Sequence, residues 1–248
     1  MAQVKNEFDL KNLRHSAHIT AQIVAALGRE VRVGASAGDL DRLAQKLCRA
    51  HGATPAFMEV PGYSYATCIS VNDEVVHSIP YDSKVFGEGD LVKIDFGVKY
   101  NGYFSDHCRT FSVGKISPIH ERLLQIGEAA TANAVQQAVE GNRIGDLSFA
   151  MQATAEEAGF SVVTNYVGHG IGKKLHEMPE IPAVGRAGTG AVLKENMVIC
   201  VECQVCEKSP QLIHDRDGWT TRTKDGGFAV MFESMVRVGK KTPEVLSV

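Results

Sequence analysis

Apolar residues recur at helical spacing in four segments of this sequence, and each segment has a recognisable start or stop. The predicted helices span residues 9–28, 36–52, 117–141 and 146–158. Ser36 and Ser117 are suitable N-caps, and Gly28 is read as the stop of the first helix. We expect each helix to pack one apolar face against a sheet.

The other dominant pattern is the strand-like run at residues 91–111, LVKIDFGVKYNGYFSDHCRTF. Asn101-Gly102 divides it into two apolar halves and favours a tight hairpin turn. If the loop comprises residues 99–102, Asp95 on the first strand lies directly opposite Asp106 on the second. The sequence therefore predicts two carboxylates facing each other across an antiparallel pair.

Such a pair is costly, because like charges opposite each other repel and burial in an apolar strand adds a desolvation cost. A divalent cation between the two carboxylates offsets both costs. The alternative is a shifted register that leaves one aspartate solvated or capping a turn. The hairpin by itself leaves both interpretations open.

Two glutamates also lie inside runs that are otherwise apolar. Glu202 occurs in MVICVEC and Glu233 occurs in FAVMFESMV. Ionised carboxylates in buried strands are normally paired or bound to metal, so both are candidate ligands. The cysteines at 200, 203 and 206 resemble a thiolate metal motif, but no second cysteine pair accompanies them, and small apolar thiols in a buried strand are favoured.

Three histidines stand out from their surroundings. His77 follows a short predicted strand and, taken alone, is typical of a hydrogen-bonded surface residue. His169 lies between glycines in YVGHGIGKKLHEMP, and His176 follows seven residues later. Flanking glycines favour a positioned ligand or base at His169, and the alternative is a glycine-rich turn with incidental histidines. The spacing is not that of an HExxH zinc helix.

Composition narrows the class of protein. The 248 residues are 44% hydrophobic and 22% charged, which is typical of a soluble globular chain. A net charge of -3 gives no basic field for nucleic acid and no polybasic membrane patch. Charged residues near the N-terminus and the lack of a long apolar run argue against a signal peptide or membrane span. We therefore expect a cytoplasmic protein that takes neither nucleic acid nor a membrane as partner.

The embedded polar residues form an ordered set with the chemistry of a metal centre. In chain order they are His77, Asp95, Asp106, His169, His176, Glu202 and Glu233. Four carboxylates and one imidazole suit two divalent first-row ions held roughly 3.5–4 Å apart, with two histidines left for substrate. Mn, Fe, Co and Zn all tolerate such ligands, so the sequence leaves the metal open.

The motifs VVHSIP, KIDFG, YFSDHCRTF, GHGIGKKLHEMP, VEC, DGWTTRTKDG and FES resemble those of the methionine aminopeptidases, specifically the short type I bacterial form. The resemblance runs from about Asp9 to Val238. It implies the α+β pita-bread fold, with two related halves around a curved antiparallel sheet, here expected as one catalytic domain over residues 1–248. It also implies a monomer that removes the N-terminal methionine of nascent polypeptides, at the ribosome, when the second residue is small.

The resemblance further implies a role for each candidate ligand. Asp95 would bind the first ion through both oxygens, and Asp106 and Glu233 would bridge the two ions. His169 and Glu202 would complete the second ion's ligands, and Glu202 also matches the general base of the family.

Substrate contacts follow from the same resemblance. His77 and His176 match the two imidazoles that contact the scissile peptide and stabilise the tetrahedral intermediate. The pocket for the methionine side chain is expected to be lined by Phe57, Tyr63, Cys68, Leu175 and Trp219.

Some neighbours of the ligands depart from the usual pattern of the family. They are Ser78, His107, Cys203 and Ser234. Because no ligand is lost, we expect these changes to affect metal preference and turnover more than reaction class. On an alternating strand the His107 side chain should point away from that of Asp106.

Two other functions remain open at this stage. A proline-specific aminopeptidase of the same superfamily typically carries a large N-terminal domain, for which this chain has no room, and DGWTTRTKDG favours the methionine enzyme. A binding or regulatory protein would keep the fold without catalysis. Such proteins usually lose ligands, and here every expected ligand is present.

Overall fold

The helical and strand patterns of the sequence form elements over almost the whole chain. The computed structural model describes Val4 and residues 6–248. The helices are α1 (Glu7–Arg29), α2 (Ala37–Ala50), α3 (Pro118–Gln136) and α4 (Ile144–Glu157). The strands are β1 (Thr54–Pro55), β2 (Thr67–Val71), β3 (Glu74–Val76), β4 (Leu91–Tyr100), β5 (Tyr103–Ser112), β6 (Ser161–Val162), β7 (Val167–Gly170), β8 (Glu177–Pro182), β9 (Val198–Cys206), β10 (Leu212–His214), β11 (Thr221–Thr223), β12 (Ala229–Arg237) and β13 (Glu244–Val245).

The predicted helices are present, and their ends follow local chemistry. Ser36 caps α2 by accepting a hydrogen bond from the Asp39 backbone N–H at 3.1 Å. The interpretation of Gly28 as a helix stop is wrong, because α1 continues to Arg29. A Cβ atom at Gly28 would lie 2.2 Å from the Phe111 ring, so this glycine lets β5 pack closely against α1. Helix α3 ends at Gln136, earlier than predicted.

Within the described residues the strands form one large antiparallel sheet and one small sheet. The large sheet has the order β1-β4-β5-β12-β9-β7-β8, and β2, β6 and β13 pair with β4, β9 and β12. The small sheet has the order β10-β11-β3. The predicted strand around the cysteines at 200, 203 and 206 is confirmed as β9, where all three thiols are buried.

The large sheet is built from two similar halves. In the first half α1 packs against β4 and β5, and α2 packs against α1. In the second half α3 packs against β9 and β12, and α4 packs against α3. The halves join where β5 pairs with β12, with Glu233 opposite Cys108. The predicted α+β class and its two-halved antiparallel sheet are confirmed.

The central hairpin has a shorter turn than the sequence analysis assumed. Tyr100 pairs with Tyr103, so the loop is Asn101-Gly102 alone. Both loop residues have positive φ, 50° and 77°, as a two-residue turn of this twist requires. The four-residue loop predicted over 99–102 is therefore wrong.

The register changes accordingly. Asp95 pairs with Cys108, and Asp106 pairs with Gly97, so the two aspartates are not directly opposite each other. A shift of two residues preserves which face a side chain occupies, because successive side chains alternate. Asp95 and Asp106 therefore lie on the same face as diagonal neighbours. No helix in the described part of the chain is long and apolar enough to cross a membrane.

Candidate metal centre and substrate pocket

A cavity of about 160 Å³ lies over the junction between the two halves of the sheet. Every residue that the sequence analysis assigned to metal, to the scissile peptide or to the methionine pocket lines this cavity. They are Phe57, Tyr63, Cys68, His77, Asp95, Asp106, His169, Leu175, His176, Glu202, Trp219 and Glu233. The structure adds four lining residues that sequence reasoning missed, namely Val60, Val76, Tyr166 and Met231.

Four strands position the four carboxylates. Asp95 lies on β4 and Asp106 on β5, while Glu202 lies on β9 and Glu233 on β12. Glu202 and Glu233 are paired directly across β9 and β12. The facing pair expected for the aspartates is thus formed by the glutamates, and the four acidic side chains meet from both halves of the sheet.

Unsatisfied oxygens mark where a cation fits. Among the described residues, Asp95 Oδ1 and Glu233 Oε1 are buried without a hydrogen-bond partner. Oxygens of Asp95, Asp106 and Glu233 lie within 4.8 Å of one another. Buried carboxylates without donors are costly, and a divalent cation between them removes that cost. The residues present therefore fit the divalent ions that the sequence implies.

His169 is oriented for the same purpose. Its Nδ1 is within hydrogen-bond distance of the Gly170 carbonyl oxygen at 3.0 Å, which places the proton on Nδ1 and a lone pair on Nε2. That Nε2 lies 3.8 Å from Glu233 Oε1. His169 also lies within 4.8 Å of ligand atoms of Asp106 and His176.

Burial strongly changes the pKa values of the carboxyl groups. It raises the pKa of Asp106 to about 7 and that of Glu202 to about 8. Burial, followed by repulsion from the neighbouring carboxylates, raises the pKa of Asp95 and Glu233 well above their usual values. Without a cation, the cluster therefore holds protons at pH values where isolated carboxyl groups are ionised.

The pKa values of the three histidines in the cavity are lowered rather than raised. Loss of water around the ring, followed by the neighbouring His176, lowers the pKa of His77 to about 4 and that of His169 to about 4. The pKa of His176 is also lowered by loss of water. The rings of His169 and His176 lie edge to face with centroids 4.4 Å apart. All three imidazoles are thus neutral near pH 7, each with one N–H and one lone pair.

His77 has an unusual backbone and a specific neighbour. Its φ is 59°, a conformation that non-glycine residues rarely adopt. The Tyr166 ring stands edge to face against the His77 ring at 5.0 Å. The Tyr166 hydroxyl is hydrogen-bonded to Thr221 Oγ1 at 2.7 Å, and Thr221 Oγ1 to His214 Nδ1 at 3.1 Å. Tyr166 begins the YVGHG motif, which is the only sequence signal that points to it.

The apolar end of the cavity is built around Tyr63. Its hydroxyl donates to the Thr67 carbonyl oxygen at 2.7 Å, so only the ring faces the cavity. The Trp219 ring lies edge to face with Tyr63 at 4.9 Å. The buried side chains of Phe57, Cys68 and Leu175 belong to the same apolar cluster. This end suits an unbranched apolar side chain.

The residues that depart from the family pattern lie around the carboxylates without replacing any of them. His107 does not line the cavity, and its Nε2 accepts a hydrogen bond from Arg109 Nε at 3.4 Å. Cys203 is buried in the core beneath the sheet. Ser78 Oγ is buried without a hydrogen-bond partner in the described structure. Gln204 was not singled out by sequence, yet its Nε2 donates to Glu202 Oε1 at 2.9 Å.

Comparison with known proteins gives a consistent result over the full chain. Residues 11–240 match metallopeptidase family M24. A methionine aminopeptidase of Clostridium perfringens is 40% identical over 249 residues, covering 100% of this chain and 99% of that protein. The crystal structure of methionine aminopeptidase from Thermotoga maritima has a TM-score of 0.98 at 34% identity, covering 100% of this chain and 99% of that one. Prolidase from Pyrococcus furiosus has a TM-score of 0.81 at 25% identity, and this chain covers 66% of it.

Proposed function

This chain belongs to metallopeptidase family M24, and we propose that it is the aminopeptidase that removes the N-terminal methionine from nascent proteins and peptides. It is a metal-dependent hydrolase, as its full-length relatives named methionine aminopeptidase indicate. The proposal rests on one arrangement, in which four buried carboxylates and an imidazole converge beside an apolar pocket. A binding protein without catalysis has no need to keep this costly cluster intact.

Five side chains would hold two divalent ions, of Co, Mn, Fe or Zn. They are Asp95, Asp106, His169, Glu202 and Glu233. Asp106 and Glu233 are the bridging candidates, because each lies within 4.8 Å of ligand atoms of both Asp95 and His169. When bound, the ions supply the Lewis acidity that activates a water molecule and polarises the first peptide carbonyl.

The remaining polar groups act on the peptide. Glu202 accepts the proton of the attacking water and delivers it to the leaving amine, and Gln204 orients its carboxylate. His77 and His176 are neutral near pH 7, so each donates a hydrogen bond to the scissile peptide without bringing positive charge into the centre.

The pocket sets the substrate class. A methionine side chain fits the apolar end formed by Phe57, Tyr63, Cys68, Leu175 and Trp219, where its thioether contacts aromatic rings. The free N-terminal amine of the substrate is held at the metal end, which restricts cleavage to one residue. Small second residues are preferred, as the resemblance to the methionine aminopeptidases implies.

The setting follows from the substrate. Nascent chains expose their N-terminal methionine in the cytoplasm as they leave the ribosome, and that is where this enzyme acts. One chain, residues 1–248, serves as a single catalytic domain and as a monomer. Both halves of its own sheet supply ligands, so the centre needs no partner subunit.

Substitutions at two positions separate metal binding from catalysis. Asp106→Ala is expected to abolish tight metal binding in calorimetry and methionine release together. His176→Ala is expected to keep the metal affinity and to lower kcat about 100-fold or more, because one donor to the reacting peptide is lost. Asp82 and His51 are exposed and serve as controls. Asp82→Ala and His51→Ala are expected to leave the metal affinity and kcat unchanged. Full activity in Asp106→Ala or His176→Ala contradicts the proposed site.

A further inference from the structure

A buried thiol lies beside the proposed metal ligands. Cys200 precedes Glu202 by two residues on β9, so both side chains leave the same face of the strand. Cys200 pairs with His169 on β7 and is fully buried. The Cys200 Sγ, a ring nitrogen of His169 and a carboxylate oxygen of Glu233 all lie within 4.8 Å of one another.

The two neighbours of this thiol, Glu233 and His169, each have an atom that can bind a cation. Glu233 is 2% exposed, and its Oε1 has no hydrogen-bond partner among the described residues. His169 uses Nδ1 for the Gly170 carbonyl, which leaves Nε2 as a donor to a cation. Nitrogen, oxygen and sulfur atoms that can bind a cation thus lie close together at the edge of the carboxylate cluster.

This donor set has a clear metal preference. Thiolate together with imidazole and carboxylate is typical of zinc and cobalt sites, whereas manganese prefers oxygen ligands. We propose that Cys200 is an additional ligand at the ion position held by His169 and Glu233, and that it biases this position towards zinc or cobalt over manganese. The inference rests on the proposed function, because it concerns the same metal centre.

Coordination through sulfur involves no change of oxidation state. The Cys200 S–H bond breaks, its proton passes to the solvent, and the sulfur electron pair is shared with the divalent ion. Cys203 offers a matched comparison on the same strand, because it lies three residues further on, on the opposite face of β9, and packs in the core against the second pair of helices.

Cobalt provides a direct test of sulfur coordination. Co²⁺ is titrated into the metal-free protein, and near-ultraviolet absorption is followed for thiolate-to-cobalt charge transfer. We expect an intense band in the parent protein and in Cys203→Ser, and no such band in Cys200→Ser or Cys200→Ala. Competition calorimetry is expected to show that Cys200→Ser weakens Zn²⁺ binding about ten-fold or more and leaves Mn²⁺ binding nearly unchanged.

The outcomes distinguish this inference from the proposed function. If cobalt binds and the protein releases methionine but no charge-transfer band appears, Cys200 only packs beside Glu233 and the inference is overturned. If the band persists in both Cys200 variants, another thiol is the ligand and the inference is again overturned. If no ion binds to the folded protein, the metal centre of the proposed function fails as well. If neither Cys200 variant folds, Cys68→Ser decides together with Cys203→Ser, because Cys68 is the cysteine that lines the cavity. A band that survives both substitutions supports Cys200, and a band that either substitution abolishes overturns the inference.

Discussion

At the scale of single residues, the buried carboxyl groups of Asp106 and Glu202 make the stability of the centre depend on pH. Burial raises the pKa of Asp106 to about 7 and that of Glu202 to about 8. In an unfolded chain both values lie near 4. A pKa raised by folding contributes stability that is complete below the unfolded value and is lost as the pH rises through the folded value. The metal-free protein therefore loses this contribution progressively as the pH rises above about 4, and the loss is complete above about 8.

We predict that the gap in Tm between metal-loaded and metal-free protein widens as the pH rises from about 6.5 to 8.5. A bound cation keeps both carboxylates ionised, so the loaded protein does not share the loss. Titrating groups outside the centre are common to both forms and cancel in the gap. Thermal unfolding at a fixed free-metal concentration measures it. A gap in Tm that stays constant or narrows would contradict the protonation of these carboxyl groups in the metal-free protein.

Lys93 shows how one buried charge connects the turn between β2 and β3 to the start of β12. The side chain is 1% exposed, and its Nζ donates to the carbonyl oxygens of Asn72 and Ala229, each at 2.8 Å. We predict that Lys93→Met lowers the free energy of unfolding by about 2–4 kcal/mol, because two carbonyl groups lose a charged donor. Urea unfolding of the metal-loaded protein measures the change.

Lys99→Met is the matched control on the same strand. Lys99 forms a partly exposed ion pair with Glu59 at 2.8 Å. Removing a pair of this kind costs less than about 1 kcal/mol. If Lys93→Met lowers the free energy of unfolding by no more than Lys99→Met does, the buried ammonium does not stabilise the contact between Asn72 and Ala229.

At the scale of elements, the small sheet orients a residue of the large cavity. Strand β11 pairs with β3, with Thr221 opposite Val76, and His77 follows directly. Thr221 also holds the hydroxyl of Tyr166, whose ring contacts that of His77. The hydrogen bond fixes the Tyr166 ring, and the ring fixes the imidazole.

We predict that Thr221→Val and Tyr166→Phe each lower kcat about five-fold, because each breaks the hydrogen bond between Tyr166 and Thr221, worth about 1 kcal/mol. Thr221→Val also removes the hydrogen bond to His214. Metal affinity should not change. The double variant should lose no more than Thr221→Val alone, since both substitutions break the same hydrogen bond between Tyr166 and Thr221. Additive losses, or a loss of metal affinity, contradict a role in orienting His77.

The helices and strands could be predicted from local chemistry, but the exact register between paired strands could not. Ser36 and Ser117 cap helices where the sequence indicates. The register of the hairpin was wrong by two residues, because Asn101-Gly102 forms a two-residue turn and apolar alternation is unchanged by a shift of two. Gly28 was misread because its contact with Phe111 is distant in sequence.

The candidate site could likewise be predicted only in part from the sequence. Residues whose chemistry conflicts with an apolar strand, such as Glu202 and Glu233, were visible from sequence alone. Their direct pairing across β9 and β12 was not, because it depends on which strands become neighbours. Tyr166 and Gln204 were missed for a similar reason, since each acquires its role only through a partner positioned by the fold.

At the scale of the whole molecule, the centre depends on the closing of two halves. Asp95 and Asp106 come from the first half, while His169, Glu202 and Glu233 come from the second. The repeat that relates the halves is not visible in the sequence, yet each half packs a pair of helices on a pair of long strands. A cation held by ligands from both halves stabilises the entire fold, because the ligands converge only when it is formed.

The most direct test is release of free methionine from a Met-Ala-Ser peptide by metal-stripped protein, with Mn, Fe, Co or Zn added back singly and an Ala-Pro-Ser peptide alongside. We predict no release without metal, release with at least one added ion, and no cleavage of Ala-Pro-Ser. Cleavage only before proline would assign the chain to a different substrate class. No methionine release with any ion, by folded protein that binds the ions, would contradict the proposed activity.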